Sequence, residues 1–159
     1  MTGAGRSAED FAGAFEAAFA RLQVTILEAC GRARDWPAQV AAGVRAGLEF
    51  AAADPAAAAV LTTGALARGA DGIARHERLV VYLGERLREG RELSADGDRL
   101  PAVLERALAG GVVTLVSQRL DRGGAADLLA LTPEVVQFLL TPYLGAERAR
   151  RIAQEAERL

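Results

Sequence analysis

The sequence predicts an all-α protein, and three observations carry that prediction. Apolar residues recur at spacings of three and four along nearly the whole chain. Capping residues stand directly before the expected helix starts, with proline close behind them at Asp35-Trp36-Pro37, Asp54-Pro55 and Thr132-Pro133. No segment alternates polar and apolar residues as a half-buried strand does. Six or seven helices are expected in one domain over residues 7–159, behind a disordered N-terminal tail at 1–6.

The first helix is expected to start at Ser7-Ala8-Glu9-Asp10, a hydroxyl cap followed by acids in the positive first turn. Its apolar stripe reads Phe11, Phe15, Phe19, Leu22, Ile26 and Cys30. Asp35 caps a second helix with the stripe Trp36, Val40, Val44 and Leu48, and Asp54 caps a short apolar third to about Ala67. Gly69 to Gly72 interrupts the pattern before a fourth helix, about Ile73–Arg88, whose inner face reads Ile73, His76, Val80, Leu83 and Leu87. Residues 90–99 read as a loop, about Pro101–Arg122 as a fifth helix ended by Gly123-Gly124, and Thr132–Tyr143 as a sixth. Gly145 precedes a charged last helix, whose arginines and glutamates read as a solvated face.

Composition narrows the class. The chain has 159 residues, 51% hydrophobic and 25% charged, which suits a globular core and excludes intrinsic disorder. The single cysteine, Cys30, forms no disulfide framework and fits a reducing compartment. All 19 cationic residues are arginine, yet net charge is −2, so no overall basic field draws nucleic acid or anionic membrane. Residues 1–10 carry no signal-peptide core, and the uncharged runs Pro55–Ala67 and Ala107–Gln118 fall short of the roughly 20 apolar residues of a spanning helix. A cytoplasmic protein without membrane contact is the expectation.

The fifth and sixth helices are apolar on more than one face, and a helix apolar all round must be covered all round. The expected solution is a two-fold homodimer in which this pair meets its symmetry mate as a four-helix bundle. Its seam draws on Leu104, Leu108, Gly111, Leu115, Val136, Leu139 and Tyr143. Gly110 and Gly111 weaken the helix and suggest close approach of another backbone. The alternative is that one of the two is simply the central core helix.

Several stretches then carry a family likeness. Asp35-Trp36-Pro37, Leu48-Glu49-Phe50 with Ala53-Asp54-Pro55, and Phe138-Leu139-Leu140-Thr141-Pro142-Tyr143-Leu144-Gly145 followed by Glu147 stand in order. From about Phe11 to Ala153 the chain resembles the C-terminal ligand-binding and dimerisation domain of tetracycline-repressor (TetR) family transcriptional regulators. The resemblance implies a helical bundle, a ligand cavity within the first four helices, and a homodimer. That family also carries an N-terminal helix-turn-helix, whereas only six residues precede Ser7 here. The expectation is therefore no DNA binding by this chain alone, with the DNA-binding part either removed or never encoded.

If the first four helices enclose a cavity for a small hydrophobic effector, its walls should draw on Phe15, Phe19, Val44, Leu48, Thr63, Leu66, His76 and Val80. His76, the only histidine, is either the polar anchor of that cavity or a core histidine bonded to a carbonyl. Thr62 and Thr63 either face ligand or bond back to helix carbonyls. Cys30 reads as a buried structural thiol. Asp96-Gly97-Asp98 lacks the remaining ligands of a calcium loop, and no zinc motif, nucleophile elbow or phosphate loop appears. No enzyme, cofactor or metal site is expected. The alternative to an effector-binding regulator is a stand-alone dimerisation or interaction protein.

Overall fold

A computed structural model of the chain describes residues 3–158. Its helices are α1 (Gly3–Cys30), α2 (Trp36–Ala53), α3 (Pro55–Leu61), α4 (Thr63–Leu66) and α5 (Gly69–Glu85). They continue as α6 (Gly90–Leu93), α7 (Leu104–Asp121), α8 (Thr132–Leu144) and α9 (Ala146–Glu157). Short 3-10 turns lie at Gly97–Arg99, Ala125–Asp127 and Leu129–Leu131, and no strand forms among the described residues. The chain is all-α.

Two helix starts are built as their residues require. The Asp35 carboxylate accepts the Ala38 N–H at 3.0 Å, and the Asp54 carboxylate accepts the Ala57 N–H at 3.0 Å. A proline follows each within the first turn, where a missing N–H costs nothing. That accepted bond, with the Arg21 guanidinium 2.8 Å away, holds the Asp54 carboxyl below its usual value. At the other ends, Gly123 (φ 74°) and Gly145 (φ 78°) take the left-handed conformation that finishes α7 and α8.

Other boundaries depart from expectation. Helix α1 already runs through Gly3–Arg6, so Ser7 is not its cap; the Ser7 hydroxyl accepts from Arg68 Nη1 at 3.2 Å instead. Met1 and Thr2 of the expected tail lie outside the described residues. The expected third helix breaks at Thr62 (φ −113°, ψ −101°), whose hydroxyl donates to the Ala58 carbonyl at 2.9 Å. The fourth begins at Gly69, before the expected Ile73, which is 54% exposed rather than inward. Gly72 is required there, because a Cβ would overlap the Ala65 carbonyl. The 90–99 loop is more ordered than its composition implies. Arg91 binds the Gly97, Leu100 and Pro101 carbonyls at 3.3, 3.0 and 2.7 Å.

Helices α1 and α2 lie antiparallel, with Cys30 beside Gln39 and Arg21 beside Phe50 and Asp54. Helices α5 and α7 are likewise antiparallel, Gly84 lying against Glu105 and Gly110 near Val80. Helix α9 folds back on α8 and buries only Ala149, Ala153 and Ala156; its arginines face solvent. The core comes in two clusters. One joins α2, α8 and α9 around Trp36, Leu48, Val136, Leu140 and Tyr143. The other joins α1, α3, α5 and α7 around Phe15, Phe19, Leu61, Leu79 and Val113.

Candidate functional site

Between these clusters lies a cavity of about 190 Å³. Helix α1 contributes Leu22, Ile26 and Cys30, and α2 runs along it from Gln39 through Gly43, Val44, Gly47 and Leu48 to Ala51. Ala58, Leu61 and Thr62 close the α3 side, and Leu79, Leu83, Arg86 and Leu87 the α5 side. Val112, Val113 and Val116 of α7, with Leu139 of α8, complete the wall. Two features make the space. Glycines at 43 and 47 sit one turn apart on α2, and a Cβ on Gly47 would meet nothing within 4 Å. The valines of α7 are too short to cross from the far side.

The wall is almost wholly apolar. Its polar members are Cys30, Gln39, Thr62 and Arg86, with no His, Asp or Glu. The Thr62 hydroxyl is committed to Ala58, and the Cys30 thiol donates to the Gln39 carbonyl at 3.4 Å. Burial raises the Cys30 thiol above its ordinary value, against the opposing charge of Arg86. Arg86 carries the only formal charge on the wall. Its guanidinium stands 4.8 Å from the Tyr82 ring centroid, and its carbonyl accepts from Trp36 Nε1 at 3.0 Å.

Of the eight expected wall residues, Val44 and Leu48 line the cavity and six do not. Phe15 and Phe19 are instead rungs of an aromatic ladder, Phe11–Phe15–Phe19–Tyr82, with centroids 6.4, 5.9 and 5.5 Å apart. Arg75 and Arg78 cover that ladder, both held by the Glu16 carboxylate at 2.7 and 2.9 Å. Val80 belongs to the same cluster. Thr63 and Leu66 lie beyond the Thr62 break, which turns α4 away and leaves Leu66 50% exposed. His76 lies one turn before the cavity-lining face of α5, its Nδ1 buried without a partner among the described residues. The charged residue on the wall is Arg86 instead, just past the C-terminal end of α5. Gly43, Gly47 and Arg86 are among the wall residues not expected from the sequence; the glycine pair one turn apart on an otherwise apolar helix was the visible signal for the first two.

The seven expected seam residues also divide. Leu108, Val136, Leu139 and Tyr143 are buried in the chain's own core. They are therefore not surface residues available to a partner. Leu104 and Leu115 are half-buried, and Gly111 is exposed beside Phe138, itself 49% exposed. With Ala107, Thr114 and Gln118 they form an exposed, uncharged strip on α7.

No helix among the described residues is long and apolar enough to cross a membrane, and no three His, Cys, Asp or Glu side chains converge as metal ligands. The architecture defines a class: an all-helical chain built around an apolar cavity with one cationic wall residue. Comparison with family models, curated proteins and solved structures gives no match.

Proposed function

We propose that the chain is the regulatory domain of a TetR-like transcriptional regulator, taking up a small, mostly apolar effector and forming a homodimer, with no DNA binding of its own. The observation that carries this is the cavity. It leaves about 190 Å³ between almost wholly apolar walls unfilled by side chains, the kind of space small-molecule sites use. A longer side chain at Gly47, where a Cβ meets nothing within 4 Å, has room to fill it. A space so easily filled, yet left open, is explained if a ligand occupies it.

The Asp-capped α2 and α3 and the α7–α8 pair agree with the resemblance in the sequence. The uncharged strip on α7 with the half-exposed Phe138 alongside is the surface on which this reading places self-association. Thermal-shift measurements with a panel of small apolar molecules test the effector. A ligand that binds only the folded chain at a hundredfold excess over its Kd raises stability by about 2.7 kcal/mol. His76→Ala should leave such a shift intact. A panel that produces no shift would remove the effector from the proposal.

A further inference from the structure

We infer that the effector is an apolar monocarboxylate, its hydrocarbon body in the cavity and its head group against Arg86. The inference rests on the cavity being an effector site, as proposed above, and names the chemistry that site selects. Its size sets the body. At about 190 Å³ it slightly exceeds the roughly 150 Å³ apolar cavity that holds benzene, which suits one ring with a short tail or a medium-length acyl chain.

The charge of the wall sets the head. Arg86 is its one ionic residue, and among the described residues it makes no ion pair. Arg75 and Arg78, over the aromatic ladder, are paired with Glu16, and Arg21 is paired with Asp54. The contacts Arg86 does make hold it in place without cancelling its charge. Its carbonyl is tied to Trp36 and its guanidinium lies over the Tyr82 ring, beside Cys30. A cation with no acid opposite, at the edge of a low-dielectric space, gives that space a positive potential. An anionic head there gains a charge-assisted, bidentate pair, while a cationic head is repelled. Gln39, whose side-chain amide has no partner among the described residues, supplies a neutral donor on the same wall. One cation balances one negative charge, so a carboxylate fits where a phosphate dianion leaves charge unmatched.

Calorimetric titration with octanoate, octanol and octylamine tests this, because the three share a chain and differ in the charge of the head. Octanoate should bind about tenfold or more tightly than octanol, equivalent to about 1.4 kcal/mol, and octylamine most weakly. Arg86→Gln should bring octanoate down to the octanol level and leave octanol unchanged; Arg86 is exposed, so the variant should fold. If octanol matches octanoate, or Arg86→Gln weakens both equally, the carboxylate assignment falls while the apolar effector site stands. If none of the three binds, both fall.

Discussion

Glu105 is the one charged residue buried among the described positions, only 7% exposed in the first turn of α7. A buried carboxylate survives only when its oxygens are satisfied. Here Arg91 donates to both of them, at 2.6 and 2.9 Å, and the Tyr143 hydroxyl donates at 3.2 Å. Burial pushes the Glu105 carboxyl up, but the Arg91 bond, its own backbone N–H and Tyr143 outweigh that and hold it below the ordinary 4.5. Burial, then the nearby carboxylate, drive the Tyr143 phenol the other way, well above its usual value. The sign of the pH effect follows. Because the native value lies below the unfolded one, the charged form stabilises the fold above about pH 4.5, and that contribution disappears as pH falls through the native value. Chemical denaturation of the wild type and Glu105→Gln over the acid range should show their stability gap narrowing below pH 4.5. A pH-independent gap would contradict the assignment. Tyr143→Phe removes one hydrogen bond while Arg91 still serves the carboxylate, so it should cost about 1 kcal/mol. A sharper effect is expected at Gly90, where a Cβ would overlap the Trp36 ring and approach Tyr143 Cδ1 at 2.8 Å. Those rings form an edge-to-face pair 5.2 Å apart, pinned by the Trp36–Arg86 bond. Gly90→Ala should cost about 1–3 kcal/mol of overpacking, read by urea denaturation.

At the scale of elements, local signals were legible and the direction of the helix faces was not. Asp35 and Asp54 announce their helices because an acid cap followed by proline acts within one turn, without tertiary help. Which inward residues would reach a shared cavity depended on how α1 and α5 meet, and no local rule carries that. The stripe of α1 splits along its length. Its first half closes against α5 as the aromatic ladder, and only Leu22, Ile26 and Cys30 reach the cavity. Likewise, nothing in the spacing around Glu105 said that Arg91, 14 residues earlier, would make its burial tolerable. Gly47 offers the test at this scale. It sits mid-helix on α2, with open space where a Cβ would be. Gly47→Ala should therefore stabilise the chain by about 0.5–1 kcal/mol, through helix propensity alone. Gly47→Leu should fill the cavity, keep the fold and abolish the thermal shift given by apolar ligands. Undiminished ligand binding in Gly47→Leu would move the site away from this cavity.

For the whole molecule, the apolar excess of α7 and α8 divides between the chain's own core and its surface. Val136 and Leu140 are fully buried at 0% exposure, so the monomer already covers much of what the sequence alone assigned to a partner. What it leaves uncovered is the line Ala107, Gly111, Thr114 and Gln118 with Phe138 alongside, small enough for a second helix pair to come close. A specific interface there should bury more than about 1,000 Å² in total. Gly111 isolates this surface from the core. It is exposed, and a Cβ on it would stand 3.7 Å from the Phe138 ring, an ordinary contact, so a longer side chain has a way out to solvent in the monomer. In a dimer closed on that strip, the arginine of each copy would leave its guanidinium in a low-dielectric seam, an unpaired charge buried twice. Light scattering should therefore find wild-type dimer and Gly111→Arg monomer, with the far-ultraviolet helical signal and the Gly47-sensitive ligand shift unchanged. A monodisperse Gly111→Arg dimer would move the interface off this strip of α7, because a strip packed against its copy leaves no partner there for the buried guanidinium.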